Sequence, residues 1–312
     1  MLKSLAVVME APKRLALTSL PLDEPQPGDV VVDTRWTGVS AGTEKLLYTG
    51  RMPSFPGMGY PLVPGYETVG EVVEAGPEAG VAVGERVFVP GARCYGAVRG
   101  LHGGSASRLV AQGARALPIR AELGERGVLL ALAATALHAF KIARPQGSTL
   151  IVGHGALGRL IARIAANAGD KPPVVWETNP VRESGALGYR VLRPEDDPRK
   201  DYCSIIDASG DAQALDGLIQ RLGAGGCVTL AGFYDVVSFA FPPAFMREAE
   251  IRIAAQWGAG DLTEARDLVQ SGALSLDGII THRRSAREAS EAYPVAFNDP
   301  TCVKMVLDWS AT

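Results

Sequence analysis

Residues 148–158 read STLIVGHGALG. Thr149–Val152 is a short apolar run closed by glycine, the pattern of a buried strand. From Ala156 the period turns helical: Leu157, Leu160, Ile161, Ile164, Ala165 and Ala168 fall on one face, Arg159 and Arg163 on another. Between strand and helix stands Gly153-His154-Gly155-Ala156-Leu157-Gly158, a G-x-G-x-x-G turn in its strand–turn–helix setting. The first glycine makes the tight turn, the second lets a pyrophosphate approach the backbone, and the third lets helix pack on sheet. Free N–H groups at the helix N-terminus receive the negative charge. A second apolar strand, Pro173–Trp176, ends on Glu177, 24 residues beyond Gly153. A carboxylate there accepts hydrogen bonds from ribose hydroxyls and repels a 2′-phosphate, which favours NAD over NADP. The expected cofactor contacts are therefore Gly153, His154, Gly155, Ala156, Leu157, Gly158 and Glu177, with His154 reaching toward pyrophosphate or ribose, and Ser209 in the later DASG turn.

Outward from this turn the pattern repeats. SIIDASG (204–210) and GCVTLAG (226–232) read as buried strands separated by a helical stretch at ALDGLIQRL. Alternating strands and helices imply a doubly wound parallel sheet. Residues 1–118 differ: segments such as DVVVDTRWTGVS and ETVGEVVEAG read as short strands of an all-β unit between turn residues. Helical periodicity begins near Leu123, and ERGVLLALAATALHAFKIA is apolar on most faces, as a buried helix is. The tail predicts an amphipathic helix at DLTEARDLVQSG, a strand at LDGIITHRR, a helix at SAREASEAYPVAF and a last strand at CVKMVLDW. The expected division is 1–118, a β-rich catalytic domain; 119–255, a Rossmann domain; and 256–312, a segment returning to the first domain.

With 47% apolar and 21% charged residues and a net charge of −3, the chain has a globular composition and no electrostatic case for nucleic acid. The apolar run before Glu10 is too short for a secretion signal, and no uninterrupted apolar run approaches the ~18–20 residues of a membrane span, so a cytoplasmic location is expected. Cys94, Cys203, Cys227 and Cys302 form no CxxC pair, and His102, His138, His154 and His282 share no local metal-binding spacing. No protein-held metal is expected. The oligomeric state stays open, a homodimer among the options.

GVSAGTE (38–44), PGYETVGEVVEAG (64–76), VGERVFVP (83–90), GGSASRLV (103–110), DASG (207–210) and ITHRR (280–284) resemble, in order, recurring segments of the medium-chain dehydrogenase/reductase superfamily. The resemblance spans nearly the whole chain and implies a GroES-like β-rich catalytic domain joined to a Rossmann domain. Segments 42–67, 89–110 and 150–160 are similar to the branch of that superfamily that works in bacteriochlorophyll synthesis. That likeness implies a magnesium tetrapyrrole substrate whose 3-(1-hydroxyethyl) group is oxidised to 3-acetyl, with NAD taking the hydride.

Zinc members of the superfamily place a cysteine near the segment matched by GVSAGTE and a histidine where this chain has Tyr66. Here Ser40 or Ala41 stands at the first position, and only Cys94 falls in the region of the four-cysteine structural lobe. Neither serine, alanine nor neutral tyrosine is a good zinc ligand. Both zinc sites are expected to be absent, and a side chain must then handle the alcohol proton. Tyr66 is one candidate, provided its pKa falls from about 10 through Lys45 or the nicotinamide charge; the alternative is a packed aromatic with a satisfied hydroxyl. Thr43 is placed as a relay hydroxyl. His102 is a candidate base or axial ligand to a substrate-held magnesium, against the plainer reading of a loop histidine. Glu67 is expected to orient backbone or an arginine.

The loop GRMPSFPGMGYPLVPG (50–65) offers Met52, Phe55, Met58 and Tyr60 either to a flat macrocycle or to its own domain. Arg51, Arg93, Arg99 and Arg108 are candidates for pairing with a propionate. The competing functions are a zinc-free quinone or enoyl reductase, which Glu177 argues against because such enzymes favour NADPH, and a non-catalytic NAD-binding protein.

Overall fold

The computed structural model describes residues 2–168, 171–234 and 236–312. It divides into two units, Leu132–Ile279 and Met1–Ala131 with Ile280–Thr312.

The Leu132–Ile279 unit is built on a six-stranded sheet in the order Arg190–Leu192, Val174–Trp176, Thr149–Val152, Tyr202–Asp207, Leu222–Leu230, Glu250–Ile253. Every pairing is parallel. Chain order reverses between Thr149–Val152 and Tyr202–Asp207, and in such sheets ligands bind beyond the strands' carboxyl ends at the reversal. Leu150, Val152, Trp176, Ile205, Leu218 and Val228 form part of its core. The expected strands at 149–152, 204–210 and 226–232 and the helix after the turn, Ala156–Ala168, are all present.

Two details depart from the sequence pattern. Arg159 and Arg163 are buried although they lie off the apolar face of their helix. Arg159 donates to the carbonyls of His154 (3.0 Å) and Ser184 (2.8 Å), and Arg163 to those of Ser275 and Asp277 (2.8 Å each). These guanidiniums satisfy carbonyls that burial would otherwise orphan. The second departure concerns the boundaries. The return to the first unit comes at Ile280, not 256, because the Asp261–Gln270 helix is tied to the second unit. Asp261 accepts from Lys141 at 2.8 Å and lies 2.8 Å from the His138 ring, and Arg163 holds the following loop. The first boundary likewise falls after Ala131 rather than after 118. It lies inside a run, Ala121–Ala143, that is long and apolar enough to cross a membrane but is mostly buried within the protein. This run opens as a 3-10 helix, Ala121–Leu129, broken at Gly124 (φ +53°), before the α-helix Leu130–Ala143.

The other unit carries a sheet ordered His282–Ser285, Met305–Asp308, Asp29–Val39, Thr68–Ala75, Arg86–Val89, Leu117–Pro118, with Arg108–Gln112 also paired to Asp29–Val39. A smaller sheet runs Arg14–Pro21, Lys3–Ala11, Leu62–Val63, Arg99–Gly100. The tail's helix and last strand form, while the strand expected over 276–284 is confined to His282–Ser285 after the turn at Asp277-Gly278; the last strand pairs antiparallel with Asp29–Val39, Met305 opposite Val39. The Trp309 indole N–H donates to Thr37 Oγ1 (2.9 Å), fixing this return. It is the pairing that carries Lys304 into the candidate site.

Candidate active site

The 153–158 turn meets its physical requirements. Gly153 has φ +93° and donates its N–H to the Trp176 carbonyl (2.9 Å). A Cβ on Gly158 would sit 1.8 Å from the Gly153 carbonyl oxygen, so only glycine lets the helix lie this close. A Cβ on Gly155 would meet nothing within 4 Å, and Gly155, Ala156 and Leu157 are half-exposed. Space for a pyrophosphate therefore lies where the motif demands it. Ser209 borders the turn: its Cα would be 3.2 Å from a Gly153 Cβ. Its N–H donates to Asp207 Oδ1 (2.9 Å), and its hydroxyl accepts from the Asp211 N–H (3.1 Å). The other Asp207 carboxylate oxygen is buried without a partner, at the carboxyl end of the strand beside Gly153.

Glu177 is buried at the end of its strand, one oxygen accepting the His154 N–H (3.0 Å), the other the Asn179 N–H (2.8 Å). The carboxylate thus shapes the turn as well as charging it. The expectation for the His154 side chain is corrected. Its ring is fully buried, Nδ1 lies 2.6 Å from the Arg182 carbonyl oxygen and Nε2 2.8 Å from the Tyr189 hydroxyl. A carbonyl can only accept, so Nδ1 carries the proton and Nε2 accepts from the tyrosine. Burial, reinforced by Arg159 and Arg163, lowers its pKa to about 4 despite the opposing Arg182 carbonyl bond. Both ring nitrogens are spent inside the fold, so the imidazole fastens the turn and has none left for a cofactor.

In the other unit the chain gathers Ser40, Thr43, Glu44, Tyr66, Glu67, His102, Tyr293 and Lys304. Gly65 (φ +95°) makes the bend before Tyr66, and a Cβ there would strike Ser105 Oγ at 2.6 Å. The Tyr66 hydroxyl donates to Ser40 Oγ (2.7 Å) and hydrogen-bonds Thr43, on the Thr43–Thr49 helix. The His102 ring stands edge-on to Tyr66, centroids 5.1 Å apart. The three predicted proton-handling residues, Tyr66, Thr43 and His102, are thus brought together.

Their electrostatics differ from expectation. Burial, then the Glu67 carboxylate, push the Tyr66 phenol well above its ordinary value, outweighing the Ser40 and Thr43 hydrogen bonds. Lys45 does not oppose this, because its ammonium donates to the Phe297 carbonyl (2.9 Å). Tyr66 is therefore no phenolate near neutral pH. Burial and the nearby Arg115 and Arg93 hold His102 below the ordinary imidazole pKa, so the ring is neutral and able to accept a proton. Its backbone is left-handed (φ +66°), an uncommon state for a non-glycine residue and one that clusters at functional sites.

Beneath Tyr66 lies a buried ion pair that the sequence did not disclose. The Lys304 ammonium donates to both Glu67 oxygens (2.8 and 2.7 Å) and to the Val39 carbonyl (3.2 Å). Gly38 makes room for it: a Cβ there would lie 1.9 Å from Glu67 Oε2. Glu44 is wholly buried, accepting from the Ser40 N–H (3.1 Å) and the Tyr293 hydroxyl (2.7 Å), and burial raises its carboxyl to about 7. The only signals for these partners were GTE and YE, polar residues inside apolar surroundings.

Among the described residues, no three His, Cys, Asp or Glu side chains come together as a metal site. Ser40 Oγ accepts from Tyr66, and both Glu67 oxygens accept from Lys304. Of the 50–65 loop, Met52, Met58 and Tyr60 pack on their own core, and Phe55 is left exposed. Of the candidate arginines, Arg108 pairs with Asp33 and Arg99 donates to the Tyr60 carbonyl.

Comparison with known proteins agrees with this architecture. Residues 26–121 match the alcohol dehydrogenase GroES-like domain. L-idonate 5-dehydrogenase from Escherichia coli has the same fold, with a TM-score of 0.87 over 98% of each chain at 17% identity. The chain is an oxidoreductase of the medium-chain alcohol dehydrogenase class. It is 57% identical to a 2-desacetyl-2-hydroxyethyl bacteriochlorophyllide A dehydrogenase of Rhodobacter capsulatus over 97% of both chains. It is 54% identical to one of Cereibacter sphaeroides over the full length of both. The chain belongs to the family of these bacteriochlorophyllide dehydrogenases.

Proposed function

We propose that the protein oxidises the hydroxyethyl substituent of a magnesium chlorophyllide or bacteriochlorophyllide to acetyl, with NAD as hydride acceptor and without zinc. The relatives' name describes a macrocycle bearing hydroxyethyl in place of acetyl (ring position 3 in current numbering), so loss of two hydrogens from that secondary alcohol yields the acetyl pigment. The observation that carries this reading is the full-length identity of 57% to a relative so named.

NAD, when bound, supplies the hydride acceptor; the protein positions the alcohol and moves its other proton. The N–H groups of residues 155–157 would receive the pyrophosphate, and Glu177 the adenosine ribose hydroxyls. A 2′-phosphate would meet the buried Glu177 carboxylate, which supports NAD over NADP. In the other unit, the substrate hydroxyl would hydrogen-bond Tyr66, whose own proton is already directed to Ser40. The raised pKa of Tyr66 excludes a standing phenolate but suits a hydroxyl through which a proton passes. Tyr66 would pass its own proton to Ser40 Oγ along the hydrogen bond it already makes as it takes the alcohol's, and His102, held neutral beside the ring, is the nearby group with capacity to take the proton up from that relay. Thr43 keeps the Tyr66 hydroxyl aligned.

The test is optical. With NAD and a hydroxyethyl chlorophyllide, the long-wavelength band should shift red as the new carbonyl joins the π-system, and NADP should serve poorly. An unchanged spectrum with both cofactors would overturn the reading; a faster reaction with NADP would overturn the role of Glu177.

A further inference from the structure

A cavity of about 170 Å³ beside His102 is lined by Phe55, Pro90, Ala92, Arg93, Leu101, His102 and Arg115. Two main-chain segments meet at it: a Cβ on Gly91 would lie 1.9 Å from the His102 carbonyl oxygen, and one on Gly103 2.0 Å from that of Ala92. The lining holds two guanidiniums and no acid. Elsewhere Arg14, Arg86, Arg108, Arg193, Arg252 and Arg283 each pair with a carboxylate. Arg115 donates to the Pro90 carbonyl (3.1 Å), a bond that leaves most of its donors for another partner. Arg93 and Arg115 both act on the imidazole of His102, so their charge converges on this cavity.

We infer that Arg93 and Arg115 form a carboxylate subsite that receives the free propionate of the substrate, beside the proton-handling residues. This rests on the proposed function. A chlorophyllide carries an unesterified propionate on an apolar ring system, which matches two cations set in an apolar wall of Phe55, Pro90 and Leu101. Pockets for whole drug-sized ligands are roughly 300–1,000 Å³, so this cavity takes a substituent, not the macrocycle. Paired guanidiniums favour a carboxylate over a neutral ester because charge-assisted hydrogen bonds are about twice as strong as neutral ones.

The test compares a hydroxyethyl chlorophyllide with its propionate methyl ester, in turnover and in equilibrium binding read from pigment fluorescence. The wild type should prefer the acid by about tenfold or more, mainly in KM and Kd, and added salt should shrink the ratio. Arg93→Gln with Arg115→Gln should bring the ratio close to one. Arg14→Gln, which removes an exposed charge outside the cavity, should leave it unchanged. A wild type indifferent to esterification, a double variant that keeps the preference, or an equal loss in Arg14→Gln would each overturn the subsite. If neither compound is oxidised, the proposed function fails, while the binding ratio still judges the subsite.

Discussion

The nucleotide turn and the Tyr66 cluster are built on opposite principles. Residues 153–158 work through backbone: a positive φ, a missing Cβ and exposed N–H groups, all within six consecutive positions. The Tyr66 cluster works through side chains drawn from residues 38–44, 66–67, 102, 293 and 304. The first therefore leaves no room for a side chain at Gly153 or Gly158 and draws on a single carboxylate, Glu177. The second depends on how burial and charge divide protons among neighbours, so small changes there should alter rate, stability and pH response separately.

The largest expected effect lies in the second region. Tyr66→Phe keeps the ring and removes the hydroxyl, and kcat should fall by roughly 10²–10⁴, the usual worth of a positioned proton-transfer group. Loss of the Ser40 and Thr43 hydrogen bonds should cost about 1 kcal/mol of stability, and KM for NAD should hold. The same loss of stability with turnover intact would instead make Tyr66 a packing residue.

Next comes the ion pair beneath it. Lys304→Met leaves Glu67 buried without its cation and should cost about 3–5 kcal/mol in denaturant unfolding. Adding Glu67→Gln should recover part of that loss. If the two losses simply add, the pair does not act as one unit.

In the nucleotide turn, Glu177→Ala should weaken NAD binding and relax discrimination against NADP by about tenfold, as loss of one charged hydrogen-bonding group does. Titration of both cofactors checks it, and unchanged selectivity would leave Glu177 as only a fastener for the His154 and Asn179 amides.

The last effect is a pH slope, spread over more than two pH units. Glu44's carboxyl is raised from 4.5 to about 7, so the folded state holds a proton that the unfolded chain has released. Its stability contribution is full below pH 4.5 and is lost as pH rises through 7, at up to about 1.4 kcal/mol per pH unit between them. The wild type should lose stability from pH 5 to 7 relative to Glu44→Gln. Parallel melting curves for the two would contradict this assignment.

The contrast also explains what was legible in the sequence. The turn, its strands and its helix could be read because each requirement is local and tied to glycine or to period. Tyr66 and Thr43 stood out through a likeness between chains and His102 through its place between turn glycines; no spacing implied that the three would meet. The rise in the Tyr66 pKa could not be read, because it follows from burial beside Glu67, whose partner Lys304 lies at the other end of the chain. His154 misled for the related reason that its position in the turn says nothing of where its ring goes, and Tyr189 and the Arg182 carbonyl claim it. The return at Ile280 was hidden likewise, since Arg163 and Asp261 tie 256–279 back by bonds that no local pattern announces.

If side chains around Tyr66 do the work of zinc, as proposed, turnover needs no metal. Metal analysis and turnover of a hydroxyethyl chlorophyllide with NAD, on one sample before and after exhaustive chelation, test it most directly. Zinc far below one per chain and an unchanged rate are expected. Zinc near one per chain, with the rate lost on its removal and restored on its return, would contradict it.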